Sequence, residues 1–288
     1  MTDLQLRLAA ITDEFSPTDL EAALVPMRSI GMTGAELRVV FGKNIMDLTD
    51  DEVMRAKELC AAAGVSIIGI ASPILKCVLP GGPAVDTRFQ QDSFNAKHSF
   101  DDQQRLLDRA FRLCEMTGAQ FIRVFSYWRT VEPSACFDAV VEALDGLAKQ
   151  AAKQGVTIGI ENEHACQIGT AAESRAILDA VQHPNLKLVW DPANALVAGE
   201  NPYPYGYGLL PVERIAHVHV KDCHMEGHTP VWGPVGTRHV DWKGQIAALV
   251  ADGYRGYLSL ETHWAGPDGN KMLGSTICGW NMRGLAAK

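Results

Sequence analysis

Two features are missing that would have pointed elsewhere: spaced cysteine pairs and a basic surplus. The seven cysteines, Cys60, Cys77, Cys114, Cys136, Cys166, Cys223 and Cys278, are odd in number, and no two are separated by two residues. Reduced thiols in a cytoplasmic protein are therefore expected, rather than a disulfide framework or a zinc–thiolate site. Lysine and arginine number 26 against 34 aspartates and glutamates, a formal charge of −8. Phosphate backbones are bound by basic surface, so no nucleic-acid partner is expected, although a local patch can hide inside an acidic total. No stretch approaches the roughly 20 apolar residues of a membrane span, and no membrane partner is expected. The first residues lack a basic region followed by an apolar run, so no signal peptide is expected. No Gly-rich phosphate loop is present, and no dinucleotide fingerprint follows the first strand.

What is present is apolar content, 47% of 288 residues, enough for a substantial core. The chain alternates strand and helix signals throughout. Strands are expected at 6–12, 34–38, 65–71, 121–125, 156–161, 186–190, 216–222 and 257–261. Helices are expected between them: from Ser16 and Pro17 as N-cap and N1 to Ile30, from the capping box Thr49–Glu52 to Ala63, then over 100–116, 132–154, 170–181 and 241–252. The tail, 268–285, is also read as helical. Glycines close several helices, among them Gly31, Gly64 and Gly118. Residues 72–97 interrupt the rhythm with a polar Gly/Pro insertion, read as a lid or a mobile loop. Two further long loops are expected at 195–211 and 223–240. No composition break marks a boundary, so residues 1–288 are read as one domain. Strict alternation implies a parallel sheet. Eight units point to an α/β fold closed as a (β/α)8 TIM barrel, with an open doubly wound sheet as the alternative. Small inward residues, Gly69, Gly159 and Ser259, beside larger ones suit a narrow closed interior.

The seventh strand carries the first functional signal. Period two places His217, His219 and Lys221 on one face and Ala216, Val218 and Val220 on the other. Three other strands also end in an ionisable group: Ile158-Gly159-Ile160 in Glu161, Leu188-Val189-Trp190 in Asp191, and Leu258-Ser259-Leu260 in Glu261. Barrel chemistry sits at the C-terminal ends of the strands. Strands five to eight would thus bring Glu161, Asp191, His219 and Glu261 to one point. Singly, a carboxylate after a strand is more often a cap or a surface charge, and an inward histidine a hydrogen-bonded core residue. Jointly they describe a site for one divalent metal. Three carboxylates and one imidazole form a hard, oxygen-rich set that suits Mn²⁺ or Mg²⁺ best, with Co²⁺ and Zn²⁺ as alternatives.

The runs Ile160-Glu161-Asn162-Glu163, Trp190-Asp191-Pro192-Ala193-Asn194, His217-Val218-His219-Val220-Lys221-Asp222 and Leu260-Glu261-Thr262-His263 resemble the xylose isomerase-like TIM-barrel superfamily. That group contains sugar isomerases and epimerases, inosose dehydratases and endonuclease IV-type enzymes. The resemblance implies that Glu161, Asp191, His219 and Glu261 hold one metal. It also implies that Glu161 and Glu261 are the catalytic acid and base, on opposite sides of a small sugar, sugar phosphate or keto-polyol. The implied reaction is isomerisation or epimerisation through a metal-stabilised enediolate. The alternative is a dehydratase of the inosose or dehydroshikimate type. The nuclease branch resembles a three-metal site with additional histidines. Here strands three and four end in Ala71-Ser72-Pro73 and Phe125-Ser126-Tyr127, and Asn194 follows Asp191, which speaks against it.

Asn194, His164, Lys221, Arg123, Glu36 and Arg238 are the candidate substrate contacts. Arg123 has a structural alternative, neutralising Glu36, and Lys221 has one in a salt bridge to a ligand carboxylate. Glu36 shares a face with Arg38. His217 lies deeper than His219 and is read as support. Trp232, Trp264 and Tyr127 are candidate pocket walls. The aromatic run at 201–208 could serve a homo-oligomer, dimer or tetramer, or wall the pocket.

Overall fold

The computed structural model describes residues 6–89 and 98–287. Eight parallel strands form the centre: β1 (Arg7–Ile11), β2 (Gly34–Leu37), β3 (Ser66–Ala71), β4 (Phe121–Val124), β5 (Thr157–Glu161), β6 (Leu186–Trp190), β7 (Ile215–Val220) and β8 (Tyr257–Leu260). Each pairs with the next, and β1 pairs with β8 from Arg7↔Tyr257 to Ala10↔Leu260. That last pairing closes a (β/α)8 barrel and removes the open-sheet alternative. The helices are α1 (Leu20–Ile30), α2 (Asp50–Ala62), α3 (Gln103–Thr117), α4 (Phe137–Lys153), α5 (Ala171–Ala180), α6 (Pro192–Val197), α7 (Trp242–Ala251) and α8 (Lys271–Leu285).

Local chemistry explains most boundaries. Thr49 and Glu52 form the expected capping box on α2, and Thr170 with Glu173 does the same for α5. Gly31 ends α1 at φ 92°, a conformation that costs a β-carbon residue. The start of α1 differs from expectation. Ser16 accepts from the Asp19 N–H in a preceding turn, and Asp19 is the N-cap, accepting from Ala22 N at 3.0 Å.

The barrel interior is narrow, and its lower floor is the Phe121 ring. A β-carbon on Gly159 would lie 2.2 Å from Phe121 Cζ, and one on Gly69 would lie 2.9 Å from Phe121 Cδ1. Both glycines are therefore required by the ring between them. Above it stands His217, with ring centroids 5.5 Å apart.

Two stretches expected as loops are more ordered. Ile74, Leu75 and Cys77, just after β3, are buried. Their carbonyls accept from Phe125 N at 2.9 Å, Tyr127 N at 2.7 Å and Trp128 N at 2.9 Å. Apolar side chains bury this stretch, and its backbone groups must then find partners. Residues 90–97 of the insertion lie outside the described residues. After β7, residues Asp222–Glu226 pair antiparallel with Thr229–Gly233, turning at Gly227. Asp222 secures the following loop by accepting from Gly236 N, Arg238 N and Val240 N. All seven cysteines are buried and unpaired. Among the described residues no helix is long and apolar enough to cross a membrane.

Candidate metal centre

Glu161, Asp191, His219 and Glu261 meet at the C-terminal end of the barrel. Each offers one ligand atom, and these atoms lie within 4.8 Å of one another. All four residues are 0–2% exposed. Local sequence sets up part of this. Asp191 is the N-cap of α6, with Pro192 at N1, and its Oδ1 accepts from Asn194 N at 2.9 Å. Asn162 ties β5 to the end of β6. Its Nδ2 donates to Asp191 O at 2.8 Å, and its Oδ1 accepts from Asp191 N at 2.7 Å.

Each of the four groups has one atom held by a neighbour on the outer side, while its second atom faces the other three groups. His219 meets Glu36 through Nε2 at 3.2 Å, leaving Nδ1 to face Glu161 Oε1 at 3.4 Å and Glu261 Oε2 at 3.3 Å. Glu161 Oε2 accepts from Arg123 Nη1 at 3.2 Å. Glu261 Oε1 accepts from Arg38 Nη1 at 2.7 Å. Asp191 Oδ2 and His219 Nδ1 are buried without a hydrogen bond. A buried polar atom without one is costly, and an imidazole nitrogen facing two carboxylates beside a third carboxylate oxygen suits a cation. The residues present therefore fit a divalent metal.

The buried cations are as ordered as the acids. Lys221 Nζ lies 2.9 Å from Asp191 Oδ2 and 3.0 Å from Glu261 Oε2. Arg38 also holds Asp13 and Glu14, at 2.8 and 2.6 Å. Arg123 pairs with the two catalytic-candidate glutamates and donates to Ala71 O, rather than pairing with Glu36. Glu36 sits beneath His219, accepting from His217 Nε2 at 2.8 Å and from Ser259 Oγ.

These partners set the charges. Burial pushes the Asp191 carboxyl up to about 6; Glu161 and Glu261 add to this, and Lys221 opposes it. Burial acts in the same direction on Glu261, yet Lys221, His219 and Arg38 hold it well below the usual carboxylate range. Glu36 is likewise buried and likewise held low, by His217 and His219. Burial disfavours the His219 imidazolium, but Glu36, Glu161 and Glu261 keep its pKa well above the ordinary histidine value.

A cavity of about 530 Å³ lies beside the cluster's neighbours, lined by Lys76, Phe89, Glu163, His164, Trp232 and His263 among others. Asn194 and His164 link the cluster to it. Asn194 Nδ2 donates to Glu161 Oε1 at 3.2 Å, and His164 Nδ1 is 3.0 Å from Asn194 Oδ1. His164 also meets Glu163, whose other oxygen is 3.4 Å from Lys76 Nζ. Of the candidate substrate contacts, His164 alone lines this cavity. Asn194, Lys221, Arg123 and Glu36 are buried, and Arg238 is exposed beside Gly233. Of the candidate walls, Trp232 lines the cavity; Tyr127 is buried against Phe100, and Trp264 packs on the core.

The roles of Asn162, Ser259 and Lys76 carry little sequence signal, because each depends on a partner from another strand or loop. Arg38 was visible through its shared face with Glu36.

The profile of the xylose isomerase-like TIM barrel family matches residues 25–276. The chain belongs to this family. A comparison with curated proteins finds no match at the sequence level. Among solved structures, this family member resembles a xylose isomerase-like TIM barrel/4-hydroxyphenylpyruvate dioxygenase fusion protein, at 21% identity and a TM-score of 0.67. That likeness covers 94% of this chain but 41% of the fusion protein. It also resembles the IOLI protein with a binding zinc atom, at 15% identity and a TM-score of 0.69, over 97% of both chains. A third is the 3-keto-D-glucoside 4-epimerase YcjR from E. coli, at 17% identity and a TM-score of 0.66, covering 94% of this chain and 97% of that one.

Proposed function

We propose that this protein is a divalent-metal-dependent isomerase or epimerase of a small sugar, sugar phosphate or keto-polyol. The observation that carries this reading is the set of four buried groups, whose ligand atoms lie within 4.8 Å of one another and whose second atoms are held by neighbours on the outer side. Glu161, Asp191, His219 and Glu261 hold the metal in this reading. Three carboxylates and one imidazole make Mn²⁺ or Mg²⁺ the first choice. When bound, such a metal supplies Lewis-acid polarisation of a substrate carbonyl.

The chain's own residues do the rest. Glu161 and Glu261 come from different strands and face the same inward point. One removes the proton from the carbon beside the carbonyl, and either one returns it. Return to the neighbouring carbon isomerises; return to the same carbon from the other face epimerises. Arg123 and Arg38 each hold one oxygen of these glutamates, which fixes the orientation of both carboxylates. His164 and Trp232 shape the cavity through which substrate enters. The folds of a 3-keto-D-glucoside 4-epimerase and of a zinc-binding relative support this class.

The test is isotope exchange. Candidate ketoses incubated with the protein and Mn²⁺ in D₂O should take up deuterium at carbon beside the carbonyl. Glu161→Gln and Glu261→Gln should each slow uptake by about 10²–10⁴-fold. No uptake from any ketose offered, with metal shown to be bound, counts against the reading. Loss of water by mass would redirect it to dehydration.

A further inference from the structure

Lys221 stands where two of the metal's donors converge. Its Nζ contacts Asp191 Oδ2 and Glu261 Oε2, at 2.9 and 3.0 Å. Nζ donates a hydrogen bond to Glu261 Oε2, while Asp191 Oδ2, buried without a hydrogen bond, meets the ammonium as an ion pair. A divalent ion held by the same two carboxylates would compete with the ammonium for them, because like charges at this range repel in a dry site. On the cavity side the buried ammonium meets two residues. Lys221 Nζ is 3.4 Å from His263 Nε2 and 5.7 Å from the Trp232 ring centre, and both residues line the cavity. Glu163, also on the cavity wall, adds its charge from that side.

We propose that Lys221 is a tethered competitor of the metal: it neutralises Asp191 and Glu261 until the ion enters, and is then displaced to the cavity floor between His263 and Trp232. There its ammonium donates to an oxygen of the substrate. Metal loading and completion of the substrate contact are then one event. This rests on the metal-dependent reading above.

Two measurements test it. Protein stripped with EDTA is titrated with Mn²⁺ by calorimetry, for wild type, Lys221→Met, Lys221→Gln and Glu161→Gln. The expected result is Mn²⁺ affinity at least about tenfold higher in both Lys221 variants than in wild type, since a competing charge is gone. Their melting temperatures should fall in EDTA and recover with Mn²⁺. In wild type, acylation of Lys221 by a small amine-reactive reagent, read by mass spectrometry, should rise on Mn²⁺ addition. Binding that Glu161→Gln weakens, with affinity within twofold between wild type and the Lys221 variants, overturns this proposal and leaves the metal reading standing. Unchanged Lys221 acylation also overturns it, whether or not the variants fold. No Mn²⁺ binding to wild type overturns both.

Discussion

Strands β5 to β8 and strands β2 and β4 reach the same centre with different groups. The first set brings Glu161, Asp191, His219 and Glu261, the candidate ligands. The second brings Glu36, Arg38 and Arg123, which occupy the outer atoms of three of them. One half of the barrel supplies donors, and the other decides which donor atom remains available. A buried carboxylate has two oxygens and a buried imidazole two nitrogens, so a site with defined donors needs both halves. Neutralising charge comes from both halves: Arg38 and Arg123 from the supporting half and Lys221, just after β7, from the donor half.

The comparison breaks most visibly at Arg123. Arg123→Leu leaves Glu161 buried without its cation and should lower unfolding stability by about 3–5 kcal/mol, measured by urea denaturation in EDTA. Saturating Mn²⁺ should recover part of it. A loss below about 1 kcal/mol would mean that the two halves do not depend on each other.

Gly159→Ala tests the floor that both halves share. A methyl would meet the Phe121 ring, and the expected cost is about 1–3 kcal/mol in the same assay. Glu36→Gln probes the support of His219. Losing the charge beneath a ligand imidazole should weaken Mn²⁺ binding about 10–100-fold by calorimetry. Unchanged affinity would show that Glu36 does not orient His219.

The smallest effect lies outside the barrel and sharpens the contrast between buried and exposed pairs. Asp50 is held at about 2 by hydrogen bonds from Arg112 and Arg109. Its folded value is below the ordinary 3.8, so the stabilisation is present above that value and is lost as pH falls through about 2. Asp50→Asn should lower the melting temperature at pH 7 by under about 2 °C, with the gap closing toward pH 2. A gap that stays constant to pH 2 would remove the ion pair as its cause.

The two halves were also unequally legible. Ligand candidates on β5 to β8 stand out because an acid or imidazole ends an otherwise apolar, period-two strand. The supporting groups do not stand out in the same way. Arg123 and Glu36 read equally well as substrate contacts or as partners of each other, and the folded chain gives each a different partner. The Gly/Pro insertion after β3 hid Lys76 and the buried Ile74–Cys77 ladder, because its composition is that of a surface loop. The hairpin after β7 was hidden for a similar reason, since its pairing depends on a turn at Gly227 rather than on apolar alternation.

Local pattern was sufficient for the element order, for the inward face of each strand and for the end of the barrel where ionisable groups collect. These are properties of single segments, encoded by period two, by caps and by helix-ending glycines. Only the closed barrel decides which atom of each group faces inward and where Lys221 rests. The deciding contacts join residues as far apart in the chain as Arg38 and Glu261, 223 positions. Such pairs acquire meaning only when β1 closes against β8, because electrostatic and hydrogen-bond partners are chosen by distance in space and not along the chain.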